Sequence, residues 1–249
     1  MAKNRYQRRL RRSLMAMGVD IKLRRVARNK GRRRIHFLHI GKTAGTQMKH
    51  VAQQVNAQSK TVTLVKHGHD VFLKDLPEDE AYFFCMRDPI SRFRSGFYSR
   101  KRKGQPKTYN EWTDYERAAF ETFEHANDLA EALFAEDETG LRAFGAMKSM
   151  RHTAQNQSDW FYCCGNFLQV RPPVWVLRQE SFAQDLEKFA SRAGLDVAYH
   201  LSETPAHAHR NDYSAVPPLS ERAHDNLRRW YAQDFELIRA CEAWRAAQN

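Results

Sequence analysis

The sequence predicts an α/β fold: a central, mostly parallel sheet flanked by helices. Three observations predict it. Short apolar or β-branched runs alternate with stretches of helical spacing, as in chains that build parallel sheets. The first run, "IHFLHI", alternates and then turns apolar, which suits a buried strand of a parallel sheet. The two most unusual loops each follow such a run directly, at the end of a strand where α/β proteins bind ligands.

The elements follow in chain order. "IHFLHI" (35–40) reads as a buried strand, and from Thr46 the spacing of Met48, Val51, Ala52 and Val55 suits a helix. "TVTLV" (61–65) is a second strand. "AYFFCMR" (81–87) is a third, stopped by Asp88-Pro89, where a helix begins because Asp caps well and Pro is favoured at the first helical position. Residues 111–134 read as one or two helices with Phe120, Phe123, Leu129, Leu133 and Phe134 on the apolar side. "VWVLR" (174–178) is a further strand after Pro172-Pro173. "SFAQDLEKFASRAGL" (181–195) is an amphipathic helix that Gly194 stops. The segment 220–245 reads as one last helix, capped by Ser220.

At 249 residues the chain is long enough to bury a substantial core as one domain. Its formal charge of +12 and pI near 9.7 are unevenly placed. Of 41 Lys and Arg and 29 Asp and Glu, fourteen bases and one acid lie in residues 1–34, leaving 27 bases against 28 acids. The expected organisation is a basic N-terminal extension, 1–34, before a neutral domain, 35–249. No apolar run approaches the ~20 residues that span a bilayer, and Arg24 and Arg25 interrupt the only apolar stretch of the extension, so it does not read as a signal peptide. Cys85, Cys163, Cys164 and Cys241 have no CxxC spacing, and a reduced, cytoplasmic protein is expected. Leu10, Leu14, Met17, Ile21 and Leu23 among the arginines leave three roles open for the extension. It is a helix on an anionic (inner) membrane surface, a grip on a polyanion, or an inert arm.

The first loop reads Gly41, Lys42, Thr43, Ala44, Gly45, Thr46. Its glycines let backbone N–H groups approach a bulky anion, the helix behind it adds the positive end of its dipole, and Lys42 adds a full charge. The nucleotide-binding pattern GxxxxGK fails here, because its first glycine would fall at His36. The second loop, "RDPISRFRSGFY" (87–98), sets Arg87 at a strand end and Ser95 about two helical turns later. An arginine fork with a neutral donor suits a phosphate dianion. Asp88, at a strand end before Pro89, reads as a helix cap rather than a magnesium ligand.

Together the two loops resemble those of the sulfotransferases that use 3′-phosphoadenosine-5′-phosphosulfate (PAPS). "HIGKTAGTQ" resembles their 5′-phosphosulfate loop, with Gly41 where Pro is common. "RDPISRFRSGFY" resembles their 3′-phosphate motif, RDPxxRxxSxY, with Arg92 at the second arginine, Ser95 at the serine and Phe97-Tyr98 near the aromatic position. "KHGHDVF" (66–72) sits where the carbohydrate members carry a histidine-containing segment. "QNQSDWF" (155–161), "LRQESFAQDLEKF" (177–189), "HRNDYS" (209–214) and "WYAQDFELI" (230–238) resemble later, weaker blocks, so the likeness covers about residues 35–245.

The resemblance implies sulfuryl transfer from PAPS to a hydroxyl of a carbohydrate or glycan. Lys42 would stabilise charge on the breaking bond, with Gly41, Thr43, Ala44, Gly45, Thr46 and Gln47 around the phosphosulfate, and Arg87 and Ser95 on the 3′-phosphate. An alcohol needs a base, and histidine, with an unperturbed pKa of about 6.5, suits the task. His69 is the expected base and His67 the alternate or a substrate contact. His152 is a lower-ranked candidate, His39 reads as a satisfied sheet-end residue, and His200, His207 and His209 read as loop residues. No metal is expected. Two rival readings are an ATP- and magnesium-dependent kinase, disfavoured by the glycine spacing, and a nucleic-acid-binding protein with a basic arm, disfavoured by the neutral body.

Overall fold

A computed structural model describes residues 31–106, 108–202 and 213–248. The basic head up to residue 30, His207, His209 and most of the HRNDYS block lie outside the described residues. The chain forms two compact units, one containing the part up to Met86, 158–203 and 240–249, the other 87–157 and 204–239.

The first unit holds the sheet. β1 (Arg33–Leu38), β2 (Val62–Lys66), β3 (Ala81–Met86) and β4 (Val176–Arg178) lie in the order β2–β1–β3–β4, all parallel. The fold is α/β, as expected. After β1 the chain moves to β2 on one side, and β3 then pairs on the other side of β1, so the carboxyl end of β1 is a topological switch point, the place where open α/β sheets bind ligands. β1 begins at Arg33, two residues before the apolar run suggests, because both arginines have partners. Arg33 donates to the carbonyl of Ala193, and Arg34 NH1 meets Glu80 at 3.1 Å. Arg32 likewise donates to the carbonyl of Asn56.

The sheet is covered on both faces, which explains the apolar runs within its strands. Phe83 stacks on Phe189 of α7 (Phe182–Ala193) with centroids 4.0 Å apart, while its neighbour Phe84 meets Phe161 and Phe167, the latter on the short α6 (Phe167–Val170), edge-on at 4.7 and 6.1 Å on the opposite face. α7 ends at Gly194, whose φ of 60° is the left-handed conformation a helix stop asks for. α1 (Gly45–Gln58) follows β1 and buries Met48, Val51, Ala52 and Val55, the residues whose spacing suggested it.

The second unit is helical among its described residues: α2 (Pro89–Lys101), α3 (Asp114–Thr122), α4 (Ala126–Ala132), α5 (Glu138–Ser149) and α8 (Glu221–Trp230) share a core that includes Phe93, Phe97, Phe120, Leu129, Met147 and Leu227. Arg100 grips buried Glu116 with two bonds of 2.6 and 2.7 Å. Burial alone would raise the Glu116 carboxyl; the bonds from Arg100 and from the N–H groups of Thr113 and Arg151 reverse this and hold it below the usual range.

Two expectations for the helices need correction. Segment 220–245 is not one helix but α8 and α9 (Ala232–Ala246), divided at Tyr231. The Tyr231 side chain is fully buried and its hydroxyl donates to the carbonyl of Thr153, a tertiary bond that sets the break. α5 was not expected at all: Leu141 and Phe144 on it are exposed and blur its periodicity.

Candidate functional site

β1 ends at Leu38, and buried His39 and Ile40 lead into the first loop. The loop keeps its shape through left-handed backbone at Lys42 (φ 69°) and Ala44 (φ 52°). Left-handed residues in such a loop redirect neighbouring N–H groups, as anion-binding backbone nests do. Thr43 is fully buried and its hydroxyl donates to the Ile40 carbonyl at 2.9 Å, bracing the loop from within. Gly41 is buried, and Lys42, Gly45 and Thr46 are half-buried.

α1 opens directly from this loop. Its N-cap, Ala44, offers no side-chain cap, and the first turn contains no acid. No acid of the first turn thus offsets the dipole of this 14-residue helix, and a helix end of this kind favours an anion such as phosphate or sulfate. Gly45 is required by a close approach: a Cβ there would lie 1.7 Å from Nε2 of His39.

Glutamine amides hold the loop and its helix, a role the sequence did not reveal. The N–H of Ala44 donates to Oε1 of Gln179 at 3.0 Å, and the N–H of Gln179 donates to the Met86 carbonyl at 2.9 Å. One residue past β4 thus ties the loop to the end of β3. Buried Gln47 is engaged with the backbone of Ser202, donating to its carbonyl (2.8 Å) and accepting its N–H (3.1 Å). Gln54, two turns on, does the same with His200 at 2.8 and 2.9 Å. The structure thus gives the Gln47 side chain a structural clasp, and gives the Ala44 N–H an internal acceptor.

The histidines of "KHGHDVF" lie in the same unit. His69 is half-buried, with its ring 3.9 Å from that of His39. Its Nδ1 is 3.1 Å from the His39 carbonyl oxygen. A carbonyl only accepts, so Nδ1 carries the proton and neutral His69 has its lone pair on Nε2, the tautomer of a general base. His67 differs: it is buried, with Nε2 2.7 Å from Nδ1 of His36. His39 Nδ1 lies 3.1 Å from Lys66 Nζ and 3.3 Å from the His67 carbonyl, a satisfied sheet-end residue as expected.

The second loop belongs to the other unit. Arg87 is buried, and Gln157 clamps its backbone, accepting its N–H at 3.0 Å and donating to its carbonyl at 2.8 Å. The guanidinium forks onto the hydroxyl of Ser91 through Nε (3.0 Å) and NH2 (2.8 Å). Asp88 caps α2 by accepting the Ser91 N–H at 2.7 Å, with Pro89 at the first helical position, so the cap expected from the sequence is present. Ser95 is buried on α2. Arg92, the second arginine of the motif, is 1% exposed, donates to the Gln155 carbonyl at 2.8 Å and lies 4.0 Å from buried Asp234. It braces the helical unit. The Arg94 guanidinium lies over the Tyr213 ring at 4.4 Å. His152 also falls in this unit, with φ 76°.

Both loops thus have the form that anion binding asks for, and the comparison with known families agrees in kind. The model of the Sulfotransferase family matches residues 27–238. The chain belongs to the sulfotransferase family. It is therefore a transferase enzyme whose family moves sulfuryl groups, and the match spans both loops, the histidine segment and the glutamine clasps. No match was found among curated proteins or among solved structures. No helix of the described residues is long and apolar enough to cross a membrane.

Proposed function

We propose that this sulfotransferase uses PAPS as donor and sulfates a hydroxyl of a carbohydrate or glycan. The observation that carries this reading is the start of α1, a helix N-terminus whose N-cap residue makes no side-chain cap bond, reached through left-handed Lys42 and Ala44; His69, in the same unit, turns its Nδ1 to the His39 carbonyl. In this reading the first loop holds the 5′-phosphosulfate, and Arg87 and Ser95 hold the 3′-phosphate that distinguishes PAPS from ATP.

Transfer is in line. The acceptor oxygen bonds to sulfur as the bond from sulfur to the 5′-phosphate oxygen breaks, and 3′-phosphoadenosine-5′-phosphate departs with the electron pair. Negative charge grows on that leaving oxygen, where the Lys42 ammonium and the N–H groups of the loop stabilise it. The acceptor hydroxyl gives its proton to Nε2 of His69. The sulfuryl group carries less charge than a phosphoryl group, so the proposed chemistry uses no metal.

The basic head would meet an anionic inner membrane surface or a polyanion. Salt-sensitive binding to anionic vesicles, lost on deleting residues 1–30, is the expected result for the membrane; unchanged binding removes that role. Residues 32–34 should stay, since all three arginines have partners in the sheet unit.

The test is transfer of radiolabelled sulfate from PAPS to a panel of glycans and small alcohols, paired with thermal stabilisation by 3′-phosphoadenosine-5′-phosphate without magnesium. Strictly magnesium-dependent stabilisation by ATP would instead establish the kinase reading.

A further inference from the structure

Two of the four cysteines, Cys163 and Cys164, are adjacent in the chain. The structure sets them apart from the other two. Cys85 and Cys241 are fully buried, and burial, with the charge of Glu242, pushes the Cys241 thiol up to about 12, so that it stays protonated and inert. Cys163 is exposed and Cys164 half-buried, and neither is in a disulfide.

The pair occupies a turn that a cysteine does not favour. The N–H of Cys164 donates to the Phe161 carbonyl at 3.0 Å, which makes Cys163 the third residue of a β-turn, and its φ of 64° is left-handed. Glycine or asparagine takes such a position more easily, yet a thiol stands there. Backbone held in this region collects at functional positions.

The surroundings of the pair are basic. Sγ of Cys164 donates to the Tyr162 carbonyl at 3.5 Å. Burial raises the Cys164 thiol; the charges of Arg171 and Lys74 and a bond from the Lys74 backbone pull it down without overcoming burial, and the charge of Cys163 raises it further. Both cations are fixed. Arg171 donates from NH1 to the carbonyls of Leu73 (3.2 Å) and Leu76 (3.4 Å) and from NH2 to that of Pro77, and the Lys74 ammonium lies 4.8 Å from the centre of the Tyr162 ring. This arrangement sets an order of reaction. The exposed thiol reacts first, and once its charge is gone Arg171 and Lys74 act on Cys164 without that opposition.

We propose that Cys163 and Cys164 form a reversible thiol–disulfide exchange site whose co-reactant is a low-molecular-weight disulfide of the glutathione disulfide class, with Cys163 attacking and Cys164 resolving. The Cys163 thiol gives its proton to water, and its thiolate bonds to one sulfur of the small disulfide; the S–S bond of that molecule breaks and one small thiolate leaves with the electron pair. The Cys164 thiol also loses its proton to solvent. Its thiolate attacks the Cys163 sulfur and expels the second small thiolate, and both expelled thiolates take up protons. Two protein thiols are thereby oxidised to one disulfide, and one small disulfide is reduced to two thiols. Adjacent Cα atoms lie about 3.8 Å apart across a trans peptide, less than the roughly 4.4–6.8 Å of ordinary disulfides, so the new bond is strained and an excess of small thiol reduces it again.

The full chain, reduced and then freed of reductant without oxygen, tests this on exposure to glutathione disulfide. The reaction is quenched with acid, the remaining thiols are alkylated after unfolding, and peptides are mapped by mass spectrometry. In wild type, Cys163 and Cys164 should be lost to alkylation together, their peptide lighter by two hydrogens, while Cys85 and Cys241 stay alkylated; dithiothreitol should reverse the change. Cys164→Ser should stop at the glutathione adduct on Cys163, and Cys163→Ser should react at least about tenfold more slowly, because its remaining thiol is half-buried. A wild-type Cys163 that stays alkylated, a glutathione adduct that persists on it, or an equal rate at Cys85 or Cys241 overturns the proposal. So does a Cys163→Ser variant that reacts as fast as wild type, since Cys164 would then be the nucleophile. The wild-type result decides the matter even if a variant fails to fold.

Discussion

The helix after β1 starts at Ala44 with no side-chain cap and no acid in its first turn, whereas the helix after β3 starts at Asp88, whose carboxylate accepts the Ser91 N–H at 2.7 Å. Both helices follow a parallel strand, and both loops come from sequence that suggests a bound anion. Their electrostatics are opposite. At α1 no acid of the first turn offsets the positive helix end; at α2 a carboxylate already sits on it. The difference teaches where anion recognition must lie. In the proposed site, recognition by the first loop would rest on backbone N–H groups and one lysine. In the second it would rest on a guanidinium that Ser91 holds, carried on backbone that Gln157 clamps.

The largest effect expected from this contrast is at Lys42. Its ammonium adds a full charge to a backbone cradle, and removing one such donor from a developing oxyanion typically costs about 10²–10³ in rate. Lys42→Ala should therefore lose that much kcat in the radiolabelled transfer assay while circular dichroism and melting stay near wild type, because the side chain is half-buried in a loop braced by Thr43 and Gln179. A variant with normal kcat would show that the backbone alone suffices.

Giving α1 the charge that α2 already carries breaks the contrast directly. Thr46→Asp places a carboxylate in the first turn of α1, where it repels the donor's 5′ end and occupies the N–H groups. About 2 kcal/mol of repulsion at this half-buried position, between the aqueous and interior limits, corresponds to roughly thirtyfold weaker binding of 3′-phosphoadenosine-5′-phosphate by calorimetry. The helix itself should be no less stable, since an acid near an N-terminus suits the dipole. Unchanged affinity would remove the helix end from the site.

At the second loop the geometry of the side chain should matter more than its charge. Arg87→Lys keeps the cation but cannot fork onto Ser91 and a phosphate together. A loss of one charged hydrogen bond, about 1.4 kcal/mol, gives tenfold weaker binding. Binding of adenosine-5′-phosphosulfate, which lacks the 3′-phosphate, should be unaffected; an equal loss for both nucleotides would place Arg87 elsewhere in recognition.

What the sequence made legible follows the same divide between local and distant causes. Asp88-Pro89 stops a strand and starts a helix by chemistry confined to a few residues, and both boundaries fall within a residue of expectation. Gly194 ends α7 for an equally local reason. The start of β1 at Arg33 was hidden, because the partners that permit arginines there, the Ala193 carbonyl and Glu80, are 160 and 46 residues away. In the candidate site, residue types marked Lys42, Arg87 and His69 as chemically apt. The clasps by Gln47, Gln54, Gln157 and Gln179 were invisible, since an amide bonding distant backbone leaves no periodic or compositional signal. The structural duty of Arg92 was hidden in the same way: its pairing with the Gln155 carbonyl and its approach to Asp234 depend on tertiary placement.

The smallest expected effect is also the most discriminating. Asp88→Ala removes the cap of α2, which typically costs about 1 kcal/mol of stability, so the melting temperature should fall by a few degrees. If Asp88 is only a cap, binding of 3′-phosphoadenosine-5′-phosphate should not weaken, and removing a negative charge next to Arg87 should strengthen it slightly. Asp88→Asn, which preserves the cap while deleting the charge, separates the two contributions: its stability should stay near wild type and its affinity should match that of the alanine variant. A marked loss of affinity in both variants, with stability intact in the asparagine form, would mean that the carboxylate serves the ligand directly. The opposition between an uncapped helix end at α1 and a capped one at α2 would then no longer describe how the two loops divide their work.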